Sequence, residues 1–489
     1  MQNTRLIQLL KTLTHAEFRE FKDFVSSPFY NKNKNVISLF EYLKKFYPEF
    51  NNEKLTDENA FKKLFPSDEY DYFKLKNIIS DLLVLGREFL AAVSFQKNID
   101  VKEKMLLEQF RDRDLDNMYE QLYKTVKRNT DAIVVKDEAY FLKCLELSYG
   151  YKDYISPKDP NSHFNLFQDQ LDFFINYALI KLLRIYNTML HESKQNNYDF
   201  DYKMFDQVFD YLKKNKNESN PTMLLYYNII LLEKDKEEKY FYELKTIKEK
   251  YYDELNFFDK YMYYLHMAGF CADAFNNQSR TDFMREHFLL SKENFERGTI
   301  ELGKILYMDF LNHVKIAIRV DEFEWAENYI NTFKDKLTEE KDSTLNFCYG
   351  VISYKKGDLD TALELFSKAN FPNYIIKLQV KILLLQVYFE KGFYDQAESM
   401  IDAFRHYLNR EKSIKESFKE SFYEYLRLTN DLIKIMTGIN IKKMDFEIAQ
   451  IKKEINNMSS NQFGIKLWLQ DRIEKKANVE GKSKKGFGD

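Results

Sequence analysis

The side chains able to do chemistry in this chain are scattered rather than grouped. Seven histidines, His15, His163, His191, His266, His287, His313 and His406, stand apart, none three to five residues from another and none in an HExxH pattern. Two imidazoles one helical turn apart are what a zinc hydrolase requires, and that spacing is missing. Cys144, Cys271 and Cys348 are odd in number and far apart, which makes neither a disulfide framework nor a CxxC metal site. The sequence holds no GxxxxGK[ST] or GxGxxG loop and no GxSxG, so no phosphate cradle is signalled. Carboxylates abound, as in "LLEKDKEEKYF", but interleaved with lysine at the spacing of a solvated face. The expectation is a protein without catalysis, cofactor or metal.

What remains is a chain of elements. Glycine and proline number only 13 and 7 in 489 residues, too few to build many tight hairpins, so long helices joined by short turns are expected. Period-two runs are short and never joined by Asn-Gly or Asp-Gly, which leaves no strand signal. The 43 Phe and 35 Tyr supply the large rings that fill seams between helices. Lys plus Arg is 74 against 77 Asp plus Glu, so the whole molecule exerts no pull on nucleic acid. The N-terminus, "MQNTRLIQLLKTLTHAEF", lacks the apolar core and cleavage site of a signal peptide. The longest apolar runs, such as "MLLYYNIILL" at 223–232, reach about half a membrane span. A cytoplasmic protein with reduced, buried thiols and no membrane contact is expected.

Local signals place the helices. Thr14 and Glu17 have capping-box spacing ahead of Phe18, Phe21, Phe24 and Val25, and Pro28 closes that helix. Further helices are expected at about 34–46, from Thr56 or Asp57 to Pro66, and at 70–95. Residues 1–95 thus form an N-terminal helical module. A middle region of helical hairpins follows to 300, including "FQDQLDFFINYALIKLLRIYNTMLHE", apolar around much of its circumference and expected to be central. Pro221 opens another helix, consistent with proline's tolerance in a first turn. Residues 438–476 read as capping helices and 477–489, rich in Lys and Gly, as a disordered tail.

The clearest stretch is "YGVISYKKGDLDTALELFSKAN" at 349–370. Gly350 permits close approach of a neighbouring helix, Gly357 ends the first helix in the left-handed conformation, and Asp358 caps the second. Ala362 is small at the crossing, with Leu365, Phe366 and Ala369 on the buried face. "VDEFEWAENYINTF" places Phe323, Ala326 and Ile330 in the same way, and "VYFEKGFYDQAESMIDAF" places Gly392, Tyr394, Ala397 and Ile401. Ala326, Ala362 and Ala397 are 36 and 35 residues apart, a helical-hairpin period.

On those residues the segment 301–410 resembles the tetratricopeptide repeat (TPR) family, and the array (repeats over 301–437) departs from it in a slightly longer period and in lacking a proline at each repeat's end. The resemblance implies an all-α fold, an α-solenoid of TPR-like hairpins stacked in a right-handed superhelix. It also implies a concave face, lined by the first helix of each pair, that holds a peptide or partner helix. Carried over copy by copy, the groove positions are Lys315 and Arg319, then Phe347, Val351 and Tyr354, then Gln379, Ile382 and Gln386. The family's basic-and-asparagine clamp for a C-terminal carboxylate finds apolar or neutral residues at its places here, Phe347 and Val351, Ile382 and Gln386, which argues against chaperone-tail binding. The resemblance therefore implies a scaffold or adaptor with a protein or peptide partner.

A second reading makes the chain a signal-responsive transcriptional regulator. Residues 56–90 carry a short helix, a proline-bearing turn and a longer helix, the outline of a helix-turn-helix. Its basic residues are few, Lys74, Lys76 and Arg87, and are offset by Asp71, Asp81 and Glu88. DNA-binding modules concentrate positive charge on one face.

Overall fold

The computed structural model describes residues 1–489 except 197, 216–219, 298–304, 338, 413, 415, 439–443, 459 and 486–489. It is all-helical: 80% helix, 23 α-helices and, among the described residues, no strand. Among the described residues one bridge pairs Ile305 with Leu337. Two compact units divide the chain, one of residues 1–133 and 142–173, the other of 134–141 and 174–489. The boundary expected at 95 therefore falls inside the first unit.

The first unit contains α1 (Arg5–Thr12), α2 (His15–Ser26), α3 (Lys34–Leu43), α4 (Asp57–Leu64), α5 (Tyr72–Lys97), α6 (Ile99–Asp112) and α7 (Asp116–Asp131). Most of α8 (Glu138–Ile155) and the start of α9 (Phe164–Asn196) also belong to it. The expected capping box starts α2: the Thr14 hydroxyl accepts from Glu17 N at 3.2 Å while Thr14 N donates to Glu17 Oε2 at 3.0 Å. Helix α5 is the hub, burying Leu75, Ile78, Leu82, Leu85 and Phe89 against α1 to α4. At Gly86 a Cβ would stand 3.2 Å from Leu9 Cδ2 of α1. Helix α1 was not foreseen; Thr4 caps it, and Leu6, Ile7 and Leu10 are fully buried.

The second unit continues through α10 (Phe205–Lys214), α11 (Pro221–Asp235), α12 (Glu238–Tyr251), α13 (Phe257–Gln278), α14 (Asp282–Glu296), α15 (Tyr307–Arg319) and α16 (Phe323–Phe333). It ends with α17 (Lys341–Lys356), α18 (Leu359–Lys368), α19 (Tyr374–Glu390), α20 (Tyr394–Arg410), α21 (Glu416–Thr437), α22 (Met444–Asn457) and α23 (Ile465–Lys485). From α11 to α20 consecutive helices pack in pairs: α11 on α12, α13 on α14, α15 on α16, α17 on α18 and α19 on α20. Turn chemistry explains the last three pairs. Asp321, Gly357 and Gly392 take left-handed φ of 62°, 84° and 72° at the turns. That conformation costs glycine nothing and is tolerated by aspartate. Asp358 then accepts from Thr361 N at 3.1 Å to start α18. Ala326, Ala362 and Ala397 are all fully buried at the pair interfaces. A Cβ on Gly350 would meet Phe366 Cε1 at 2.7 Å, so only glycine lets α18 lie this close to α17.

One expectation needs correction. Helix α9 is not central along its length: Phe164, Phe167, Leu171 and Phe174 are each half exposed or more, whereas Ile180, Leu183 and Tyr186 are buried. The helix passes from one unit to the other at 173–174, a change of surroundings that apolar content does not register. Helix α23 spans Ile465–Lys485, and residues 486–489 of the tail expected to be disordered lie outside the described residues.

Candidate functional site

The eight groove positions lie on α15, α17 and α19, the first members of three successive pairs, and the structure divides them into two kinds. Phe347, Val351 and Ile382 are 1%, 9% and 2% exposed. Phe347 packs between Phe366 and Phe371, and all three sit in the cores between helices. A ring or methyl so placed is spent on helix packing and reaches an external partner only if the pair opens. The other five are polar, and they link helices. Lys315 Nζ donates to Gln379 Oε1 at 2.9 Å, from α15 to α19. Gln386 bonds Tyr425 of α21, and the Tyr354 hydroxyl donates to Glu390 Oε1.

Part of this face is already covered by the chain itself. Trp468 of α23 donates from Nε1 to Glu390 Oε1 at 2.9 Å, and Arg472 Nη2 lies 3.1 Å from the same oxygen. The indole packs edge-on against Phe389, 5.2 Å between centroids, and against Tyr425. Burial first, then the Glu390 charge, push the Tyr354 phenol well above its ordinary range, so it remains a donor. The turn before α23 reaches further. Asn461 is 1% exposed and donates from its backbone to the Asn276 carbonyl at 2.6 Å, tying the C-terminal segment to the end of α13. Phe463 stacks on Phe422 of α21.

Beyond α23 the face is cationic. Arg319 stands one helical turn from Lys315 and lies over the Phe275 ring of α13, 5.1 Å from its centroid. Both side chains keep intermediate exposure although protein surrounds them. Among the described residues neither makes an ion pair with a carboxylate. Burial pushes the Lys315 ammonium down to about 7, helped by Arg319, and pushes the Arg319 guanidinium down to about 10. His287 of α14 feels the same cations: burial first, then His313, Arg319 and Lys315, bring it to about 3. Burial brings His313 to about 4. Both imidazoles are therefore neutral at pH 7, and among the described residues Nδ1 of His313 has no hydrogen-bond partner.

Sequence reasoning found Lys315 and Arg319 but missed Phe275, His287 and His313, which come from other helices with no motif to join them. It also missed Glu390, Trp468 and Arg472. One of only two tryptophans in the chain, in an amphipathic C-terminal helix, was the available signal.

A second polar cluster in this unit has another character. Arg184 of α9 bridges Glu138 of α8, at 2.5 Å, and Asp259 of α13, at 2.6 Å. Thr222 also faces Asp259, 3.4 Å away. Burial opposes the charge on Arg184, but Asp259, with Tyr226 and Glu138, overcomes it and raises the guanidinium above its ordinary value. The arrangement fastens four helices together. In the first unit a wide depression bordered by Lys97, Asp100, Glu103 and Lys143 carries mixed charge, with Lys143 paired to Asp100. The basic residues of 56–90 surround a helix whose apolar side is committed to the core; Lys74 pairs with Asp68 and lies 3.9 Å from the Phe65 centroid.

Among the described residues no group of three or more His, Cys, Asp or Glu side chains gathers as a metal site. The three cysteines are buried and form no disulfide, and no described helix is long and apolar enough to cross a membrane. No protein-family model, curated protein or solved structure matches the chain.

Proposed function

We propose that this chain is a non-catalytic, cytoplasmic scaffold or adaptor, whose helix pairs form a TPR-like α-solenoid and hold a peptide or partner helix against the first helices. The observation that carries this reading is α23. A helix already lies on that face, held by an indole against Phe389 and Tyr425 and by polar bonds converging on Glu390. A surface that takes one amphipathic helix by an aromatic anchor and a partly buried carboxylate has the chemistry to take another. The neighbouring stretch around Lys315, Arg319 and Gln379 carries polar groups on the same side of the array. The turn residues at 321, 357 and 392 and the buried alanines keep the hairpin period, which supports the TPR-like reading of α15 to α20.

The test is an affinity pull-down from native cytoplasm with the full chain and with a Lys315→Gln/Arg319→Gln variant, with a salt series and nuclease treatment in parallel. A protein captured by the wild type and at least tenfold depleted in the folded variant is the expected result. Recovery of nucleic acid that salt removes and the double substitution leaves unchanged would sink the scaffold reading and move attention to residues 56–90.

A further inference from the structure

We propose that Lys315 and Arg319 form a binding site for an oxyanion, a carboxylate or phosphate group, enclosed by α13, α14, α15 and α19. The site lies on the face assigned above to a partner; the inference rests on that assignment and names the chemistry the occupant presents there.

Three observations converge. Two cations one turn apart project from the same helix into protein, and among the described residues no carboxylate pairs with them, while each keeps some exposed surface. Asp309, the acid on the same helix, lies beside Tyr264 and Tyr329, and burial raises it toward its neutral form. The surrounding groups are neutral: Gln379 orients the ammonium at 2.9 Å, Phe275 backs the guanidinium at 5.1 Å, and Cys348 is held as a thiol by burial.

Two like charges gathered in a low-dielectric interior are costly unless something of opposite sign joins them. A packing role alone is served as well by Leu or Met. A guanidinium presents a planar fork of donors matched to two oxygens of one anion, and an ammonium beside it adds a point charge. An oxyanion between them would meet at least three donors and little water. His287 and His313, being neutral, add no charge to repel or attract it. The site is thus built for one or two negative charges.

Equilibrium dialysis of the purified full chain at constant ionic strength tests this with two probes, inorganic phosphate and a capped tri-glutamate peptide. Saturable one-to-one binding of either probe is expected, weakened at least tenfold in Arg319→Gln and in Lys315→Gln. Lys381→Gln, which removes another half-buried lysine of α19, should bind as the wild type does. Arg319→Lys, which keeps the charge but loses the planar fork, should bind more weakly than the wild type and more tightly than Arg319→Gln, and circular dichroism melts establish that each variant is folded. Phosphate alone binding identifies a free oxyanion as the occupant; the peptide binding more tightly identifies a side-chain or terminal carboxylate. Absence of binding by both probes overturns the site, as does equal binding by Arg319→Lys and Arg319→Gln. Either failure leaves the partner reading standing if the pull-down still shows a protein dependent on this face.

Discussion

Arg184 and Arg319 are two arginines in the interior of the same unit, and they differ in one respect. Arg184 meets Glu138 at 2.5 Å and Asp259 at 2.6 Å, and its guanidinium is raised above the ordinary value. Arg319 meets an aromatic ring, and burial pushes it down to about 10. The first is a clamp completed within the chain: its charge is neutralised by helices on either side, and its value lies in holding α8, α9, α11 and α13 together. The second has no counter-charge among the described residues, and its neighbour one turn away, Lys315, is another cation. A buried charge with its partner is structure; a buried charge without one asks what supplies it.

Breaking the clamp gives the largest effect. Asp259→Asn leaves Arg184 short of its fully buried carboxylate and should cost about 3–5 kcal/mol of stability, read from urea unfolding. A loss under about 1 kcal/mol would erase the contrast between the two arginines.

Lys315→Met should act in the opposite direction. The folded chain holds this ammonium at about 7, below the ordinary lysine value of 10.5. Between those limits the unfolded chain binds the proton more tightly, so wild-type stability rises with pH across the window. At pH 6 both states are protonated and the folded state bears the burial of a cation among His287, Arg319 and Cys348. Replacing Lys315 by Met then stabilises by roughly 1–2 kcal/mol, after discounting for residual solvent and for the hydrogen bond lost at Gln379. Above pH 10 the gain should disappear, and denaturation at several pH values follows it.

Arg319→Met has the smallest expected effect, within about 1 kcal/mol of wild type, because relief of desolvation offsets the lost contact with Phe275. A loss comparable to that of Asp259→Asn would show that the ring alone makes Arg319 structural.

Much of the fold was legible because it is written in local rules. Few glycines and prolines meant helices; Thr14 with Glu17, Asn220 before Pro221, and Gly357 followed by Asp358 marked ends that the structure keeps. Helix α1 escaped because eight residues give too little periodicity to read. The exposed half of α9 escaped because apolar content says nothing about which neighbour is present. At the candidate site, the i,i+4 pair Lys315 and Arg319 was visible from the chain. That Phe347, Val351 and Ile382 are core fillers was not, since a groove position and a seam position on one helix differ by a rotation smaller than the pattern resolves. Phe275, His287 and Trp468 join the face from distant segments, and only tertiary structure brings them there.

The most direct test is the ionisation of Lys315 itself, measured by competitive labelling with trace acetic anhydride between pH 6 and 11 and mass spectrometry of the lysine peptides. An unpaired, enclosed ammonium should acetylate with a midpoint near 7 and move upward, with protection, when saturating phosphate is added. A midpoint at the ordinary lysine value of 10.5, unchanged by phosphate, would mean the charge is already neutralised or solvated and would contradict the account.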